Sequence, residues 1–354
     1  SESMKSANVR RWAFQYLWYI LIPISVWLYL AHLEPIAVFI TAVLAVIPLT
    51  NLIAKSTQQL SMRTTTILGS LMNATFGNAS EFLIAIFAIR AGLTELVKAS
   101  ISGSIIINIL LLIGLSMILG GFKYREQTFS KDSAGVASSM LLIAVAGLSM
   151  PTIYTVITGK SAIIMSRAVS VALGITYLLS LVFVLVTHKH LFVAKRDVTE
   201  ELSWGLKRSA LVLLVSIGLA ALESHILVDA VHPLIDAAHL SETFVGLVII
   251  AIITNVPEHL AAIRYGRRNN ITLSLEIGMN SAIQIALFVA PILVLISPLL
   301  AAEMSLAFPL FQMVAMILTV MIISYISVDG ICNWLEGVQL VGVYIIIAIA
   351  FYFT

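Results

Sequence analysis

The chain of 354 residues is 60% hydrophobic and only 11% charged. So little polar surface cannot cover a water-soluble globule, and the composition therefore predicts a protein that crosses a lipid bilayer several times. A net charge of +2 in so apolar a chain argues against a nucleic-acid partner, and the single Cys332 excludes an internal disulfide.

Eleven apolar windows along the chain are each long enough to cross a bilayer as a helix. In chain order they cover residues 12–31, 36–54, 61–91, 95–120, 134–157, 164–187, 208–231, 242–266, 272–299, 304–326 and 336–353. Charged or turn-forming residues separate neighbouring windows. The sequence therefore predicts an all-α polytopic membrane protein with eleven transmembrane helices.

The basic residues of the loops predict the orientation, because cytoplasmic loops are enriched in Lys and Arg. With eleven helices, 16 of the 20 Lys and Arg residues fall on the side of the N-terminus and 4 on the other side. The N-terminus is therefore predicted to be cytoplasmic and the C-terminus to lie on the opposite side. We expect a multi-pass protein of a prokaryotic cell membrane rather than of a eukaryotic vacuole, and a homo-oligomer is compatible with the sequence.

Matching residues recur at a constant spacing of 177 positions, half the chain length. The pairs are Gly69 and Gly246, Asn78 and Asn255, Glu81 and Glu258, Arg90 and Arg267, Leu96 and Leu273, and Ser104 and Ser281. A register held over so many positions indicates a duplicated unit. Each unit has five helices, so the second copy is inverted in the membrane, which is common among secondary transporters.

The repeat divides the chain into four predicted parts. They are an N-terminal segment with the first helix (1–35), a first five-helix repeat (36–187), a cytoplasmic linker (188–207) and a second, inverted five-helix repeat (208–354). The first helix is thus an addition to the duplicated architecture.

Two carboxylates, Glu81 and Glu258, lie inside windows that are otherwise apolar. An ionised group in a bilayer is costly and usually has a function, and no Lys or Arg is predicted at the same depth to neutralise either one. Asn78 and Asn255 precede the two Glu residues by three positions, so each pair is predicted to share one helix face.

Further oxygen donors surround these pairs in the predicted arrangement. Gly77 and Pro257 permit irregular helix geometry, which frees backbone carbonyls. Side chains at helical spacing on the neighbouring windows add polar groups, namely Ser104, Asn108, Ser281 and Gln284. A site made only of carboxylate, amide, hydroxyl and carbonyl oxygens suits a hard cation such as Ca²⁺ better than a softer metal. No cofactor is predicted.

Other roles are open for several of these residues. Amides such as Asn108 and Gln284 often only hold helices together. His259, beside Glu258, is either a proton relay or a structural histidine. Four acidic residues are predicted to be solvated loop charges rather than a cation-collecting entrance. They are Glu223, Asp229, Asp236 and Glu242.

Charge balance predicts how the two carboxylates would work. Two ionised carboxylates that face one cavity repel each other, and either one dication or two protons neutralises the pair. The empty, doubly charged site is costly to move through a low-dielectric interior, so the two flows are coupled. Ca²⁺ and H⁺ are therefore predicted to exchange at Glu81 and Glu258.

Two other functional classes remain open at this level. A cation channel could use the same pair of Glu residues, although a channel does not need inverted hairpins with titratable sites. An intramembrane hydrolase would have only Glu258 and His259, since neither His-Glu-x-x-His nor Gly-x-Ser-x-Gly occurs. The protein is therefore predicted not to be an enzyme. Among transporters, the alternative is a sodium/calcium or other divalent cation exchanger.

Four motifs resemble those of the calcium/proton antiporters, the CAX branch of the calcium:cation antiporter superfamily. They are Gly77-Asn-Ala-Ser-Glu81, Asn255-Val-Pro-Glu-His259, the run from Gln284 to Pro291 and the run from Asp329 to Gly337. The resemblance extends from about residue 60 to the C-terminus.

This resemblance implies an eleven-helix exchanger in which Glu81 and Glu258 take Ca²⁺ or protons alternately. Asn78, Asn255 and Gln284 would then line the site.

Overall fold

The computed structural model describes residues 18–188 and 203–353, which form helices and one short sheet. We number the helices α1 to α13 and count a helix that contains a short 3-10 or π-helical segment as one. They are α1 Trp18–Leu30, α2 Pro35–Ser61, α3 Thr66–Gly77, α4 Ala79–Arg90, α5 Thr94–Gly121, α6 Lys131–Thr158, α7 Ile163–Thr187, α8 Leu206–Ala238, α9 Glu242–Thr254, α10 Val256–Arg267, α11 Ile271–Leu299, α12 Leu310–Ile326 and α13 Trp334–Tyr352. The strands β1 Gln127–Thr128 and β2 Ile331–Cys332 pair antiparallel.

Seven of the described helices are long and apolar enough to cross a membrane, and the number rises to nine if each of two bent pairs is one span. The prediction of an all-helical, multi-pass membrane protein is therefore confirmed. The predicted windows 12–31 and 304–326 contain the shorter apolar helices α1 and α12. Residues 12–17 of the first window and 189–202 of the predicted linker lie outside the described residues.

Helix α12 begins six residues later than its predicted window, because the backbone before it is held by side chains of other helices. The N–H groups of Leu306 and Phe308 donate to the hydroxyls of Ser166 and Thr152, over 2.9 Å in both cases. Pro309 then precedes the first helical residue, where its missing N–H costs nothing. Side-chain partners therefore replace the helical hydrogen bonds of this buried segment.

The predicted windows 61–91 and 242–266 are not continuous helices. The α3–α4 pair bends by 51° at Asn78, and the α9–α10 pair bends by 58° at Asn255. Pro257 lies in the first turn of α10, where no N–H is needed. In each pair, the Asn is therefore the residue at the break, and the Glu lies in the first turn of the helix that follows.

Helix α5 lies at the centre of the bundle and packs closely against α9. A Cβ added at Gly103 of α5 would lie 2.3 Å from the carbonyl oxygen of Leu247, and one added at Gly246 of α9 would lie 2.7 Å from that of Leu96. Neither distance is possible for a larger side chain without displacement of a backbone. These two glycines therefore set the spacing between α5 and α9, the helix that precedes the break at Asn255.

Helices α2 and α8 pack along each other more extensively than any other pair of described helices. Helix α1 packs against both of them, and α8 also packs against α4, which carries Glu81. At one end of the molecule, the β1–β2 pair joins the loop after α5 to the loop before α13.

Candidate ion-binding site

Glu81 and Glu258 occupy equivalent positions at the two helix breaks. Each lies in the first turn of the helix that follows its break, α4 for Glu81 and α10 for Glu258. Glu81 is buried and Glu258 is half-buried, and their carboxylates are close enough to interact electrostatically. The N-terminus of a helix carries a partial positive charge, so the start of each of these two helices is a favourable environment for an ionised carboxylate.

The two breaks share one backbone geometry. Asn78 has φ −101° and ψ 24°, and Asn255 has φ −100° and ψ 11°. The side-chain amide of Asn78 donates to the carbonyl of Ala74 over 2.8 Å, and that of Asn255 donates to the carbonyl of Ala251 over 2.9 Å. Ala74 and Ala251 are also 177 positions apart. The repeated sequence thus produces the same local structure twice.

Each break is connected to a helix of the other half of the chain. Asn78 Nδ2 donates to Gln284 Oε1 of α11 over 3.1 Å. Asn255 Nδ2 donates to Ser104 Oγ of α5 over 3.1 Å. The structure therefore brings together residues that lie far apart in the sequence, as the predicted site requires.

Asn108 completes the polar network on α5. Its Nδ2 donates to Asn255 Oδ1 over 2.7 Å and to Ser281 Oγ of α11 over 2.9 Å. All eight side chains that the sequence predicts as ion ligands therefore lie at the two breaks or on the facing segments of α5 and α11.

Several oxygens of this cluster have no hydrogen-bond donor within the described residues. They are Glu81 Oε2, Glu258 Oε2 and Asn108 Oδ1. Buried acceptors without partners are costly unless another species satisfies them. Two carboxylate oxygens and one amide oxygen are ligands that a hard cation prefers. The described residues contain no cluster of three or more His, Cys, Asp or Glu side chains that could hold a metal ion.

A narrow cavity of about 10 Å³ lies on one side of Glu81, which is about the smallest space that holds one water molecule. Ser100 and Ser104 of α5 line it together with apolar residues of α4, α5 and α11. The other lining residues include Val97, near the start of α5, and Leu293, near the end of α11. The cavity therefore extends from Glu81 toward the end of the molecule at which α5 begins.

His259 is held by the backbone at the second break. Its Nδ1 lies 2.7 Å from the carbonyl oxygen of Asn255, which fixes the ring against the break. Its Nε2 has no partner within the described residues. A neutral ring that donates from Nδ1 leaves Nε2 as an acceptor. The proton-relay role of His259 stays a prediction.

Sequence reasoning missed two polar contacts at the site. Thr254, the last residue of α9, donates from its hydroxyl to the Ile250 carbonyl and lies close enough to Glu81 of the other half to interact with its carboxylate. Glu242 Oε1 accepts a hydrogen bond from the backbone N–H of Leu96 over 2.9 Å and so caps the first turn of α5. Glu242 is thus a helix cap rather than the solvated charge that was predicted. The two contacts join residues 173 and 146 positions apart, and no local pattern signals them.

Two π-helical segments flank the polar cluster at equivalent positions. Residues Asn108–Leu112 of α5 and Ile285–Val289 of α11 are 177 positions apart. Such segments interrupt the regular hydrogen bonds of a helix and are frequent at functional sites. Asn108 is the first residue of one segment, and Gln284 directly precedes the other. Both side chains form hydrogen bonds with the Asn residues at the breaks.

The structure also corrects the prediction for Glu223. This residue is fully buried within α8, and its Oε2 accepts a hydrogen bond from Ser25 Oγ of α1 over 2.6 Å. The prediction of a solvated loop charge is therefore wrong. Glu223 lies inside the predicted window 208–231, and α8 contains Asp229 and Asp236 as well.

Comparison with known proteins places this architecture in a family. The model of the family described as "Sodium/calcium exchanger protein" matches residues 34–186 and 208–353. The Ca(2+)/H(+) antiporter of Aphanothece halophytica is 35% identical over 353 residues, which cover 94% of this chain and 94% of that protein. The chain belongs to the calcium/proton antiporter family within the sodium/calcium exchanger superfamily.

Further relatives agree with this family membership. The Ca(2+)/H(+) antiporter ChaA of Bacillus subtilis (strain 168) is 36% identical over 94% of this chain and 96% of that protein. The native YfkE structure is 33% identical and superposes with a TM-score of 0.83 over 95% of this chain and 100% of that chain. The resemblance seen in the four motifs is confirmed. The chain therefore belongs to a family of transporters and is not an enzyme, as predicted.

Proposed function

We propose that the chain is a secondary active calcium/proton antiporter that exports Ca²⁺ from the cytoplasm in exchange for H⁺. The observation that carries this proposal is the pair of carboxylates at two equivalent helix breaks, each with a donor-free oxygen. The relatives named as Ca(2+)/H(+) antiporters support the same cargo.

Glu81 and Glu258 bind Ca²⁺ or protons in turn. In the Ca²⁺-loaded site, the two carboxylates supply the negative charge, and Asn108, with its donor-free amide oxygen, supplies a neutral ligand. Asn78, Asn255, Gln284, Ser104 and Ser281 complete or position this oxygen set through the hydrogen bonds that join the breaks to α5 and α11.

The coupling of the two flows follows from the charge of this site. Neither Glu81 nor Glu258 forms an ion pair with a described Lys or Arg. The doubly ionised site is therefore costly in the bundle interior, and one Ca²⁺ or two protons remove that cost. Loaded sites change sides readily and the empty site does not, which prevents either ion from leaking alone.

The proposed architecture has eleven spans, in which α1 precedes two inverted five-helix repeats with Asn78 and Asn255 at equivalent positions. The matched backbone geometry of these two residues supports the repeat. The extensive contact between α2 and α8 supports a mobile unit that shifts against the core of α3, α4, α5, α9, α10 and α11. That shift would expose the site to each side of the membrane alternately.

Transport in everted membrane vesicles tests this function. We expect an imposed proton gradient to drive uptake of ⁴⁵Ca²⁺, and an imposed sodium gradient to drive none above the level of vesicles without the protein. Collapse of the proton gradient should stop the uptake, which a channel would not require. Uptake that follows the sodium gradient instead would assign the chain to sodium/calcium exchange.

Selectivity provides a second expectation. An oxygen-only site discriminates by ligand number and cavity size, so Mn²⁺ and Cd²⁺ should compete with ⁴⁵Ca²⁺ less well than unlabelled Ca²⁺. Competition curves measure this directly in the same vesicles. A preference for Mn²⁺ would contradict the assignment of Ca²⁺ as the main cargo and would direct attention to Thr254, which interacts with Glu81.

A further inference from the structure

A third membrane carboxylate, Glu223, lies outside the ion-binding site just described. It belongs to α8, its side chain is fully buried, and its Oε2 accepts the 2.6 Å hydrogen bond from Ser25 of α1. Its Oε1 has no hydrogen-bond partner within the described residues. Within the described residues, no second carboxylate and no side-chain amide forms a hydrogen bond with Glu223.

No described cation neutralises Glu223. The ion pairs of the described residues are Lys98 with Glu95, Arg167 with Glu303, and His225 with Asp229. A buried carboxylate with one hydrogen bond and no counter-charge is unfavourable in its ionised form, and a metal ion would find too few oxygens here. A proton is the one small cation that a single carboxylate and one hydroxyl can hold.

A second polar contact lies farther along the same seam between α1 and α8. Tyr29, one helical turn after Ser25 on α1, donates from its hydroxyl to Asp229 Oδ2 over 2.6 Å. Asp229 also lies 3.6 Å from His225 Nδ1, and the side chains of both residues are well exposed, at 39% and 48%. The more exposed end of the same seam therefore also carries titratable groups.

We propose that Glu223 is a reversible proton-binding site at the α1–α8 seam and that it is separate from Glu81 and Glu258. In the packing described here Glu223 carries its proton and fastens α1 to α8 through Ser25. Loss of the proton places an unpaired charge in the seam and loosens it. Because α8 packs against α4, the seam is linked to the helix that carries Glu81.

Other titratable groups on the elements packed around α8 form no described hydrogen bond or ion pair with this carboxyl. They are Tyr19 and Tyr29 on α1, Lys55 on α2, Glu81 and Arg90 on α4, and Lys207, Arg208, His225, Asp229, His232 and Asp236 on α8 itself. Ser25 is the one described hydrogen-bond partner of Glu223. Protonation of Glu223 is therefore governed by its burial and by the packing of α1 against α8.

Infrared difference spectroscopy of the purified, reconstituted protein tests the proposal without any transport assay. We expect wild-type protein to show a neutral-carboxyl C=O band that Glu223→Gln removes and that disappears reversibly as the pH is raised. The same measurement in a Glu81→Gln/Glu258→Gln background excludes the ion-binding carboxylates as the source of the band. The result is thus independent of whether the antiport function is correct.

Two further variants sharpen the interpretation. Ser25→Ala should keep the band but shift it to higher frequency, because the carboxyl loses its hydrogen bond. Asp229 is an exposed carboxylate on the same seam, so Asp229→Asn should leave the band in place.

Absence of any Glu223-dependent band at acid pH would show an ionised carboxylate, and a band that persists at alkaline pH would show a fixed structural proton. Either result would overturn the proposal.

Discussion

Replacing Glu81 or Glu258 by Gln is expected to reduce proton-driven Ca²⁺ uptake to the background of vesicles without the protein. Gln keeps the volume and most of the hydrogen bonding of Glu, but it carries no charge and cannot exchange a proton for Ca²⁺. Each variant should still fold, because the breaks are held by the bonds from Asn78 to Ala74 and from Asn255 to Ala251. Initial rates of ⁴⁵Ca²⁺ uptake at matched protein content measure the effect.

Glu303→Gln is a matched control for these two substitutions. The Glu303 side chain is half exposed, pairs with Arg167 and lies far from the breaks in the sequence, so its loss should leave uptake close to that of the wild type. Monodisperse elution of all three variants in detergent would show that they are folded. Wild-type uptake by a correctly inserted Glu81→Gln or Glu258→Gln protein would disprove the two-carboxylate site.

The apparent affinity for Ca²⁺ should weaken steeply as the pH falls. Protons and Ca²⁺ compete for the same oxygens of Glu81 and Glu258, and Ca²⁺ binding requires both carboxylates to be ionised. When both are protonated in the free site, binding releases two protons, so the affinity should fall by up to about a hundredfold per pH unit. Equilibrium Ca²⁺ binding to the purified protein at a series of pH values gives this slope.

The single-Gln variants supply the control for the pH dependence. Each retains one titratable carboxylate, so any residual Ca²⁺ binding should show a shallower slope of at most about tenfold per unit. An affinity that stays constant from about pH 8 to about pH 6, well above the reference Glu pKa of roughly 4.3, would contradict proton competition. Sodium exchange would then be the better assignment.

Much of the fold was predictable because it depends on local sequence. The length and apolar content of each window predict helical chain in the membrane, since the bilayer core is apolar and lacks water to bond with the backbone. Glu81, Glu258 and the amides around them were visible for the same reason, as polar residues in apolar surroundings. Their roles as ion ligands, the domain boundaries and the sidedness of the termini stay predictions.

The positions of the helix breaks were only partly predictable. Pro257 and Gly77 indicated that irregular geometry was allowed, but neither residue specifies a bend of 58° or 51° at the Asn beside it. The bends depend on contacts such as that between Asn78 and Gln284, which are 206 positions apart. A pattern of neighbouring residues carries no information about such a partner.

By itself, the amino-acid sequence determined the class of the protein, its helical windows, its duplicated motifs and the carboxylates that chemistry singles out. Only the tertiary structure decided that each Glu lies in the first turn of a new helix, that Glu242 caps α5, and that Glu223 is buried. The physical reason is that burial and hydrogen bonding belong to pairs of distant segments. Glu223 lies near the end of the apolar window 208–231, and only the tertiary structure shows that its side chain is buried and accepts a hydrogen bond from Ser25, 198 positions earlier.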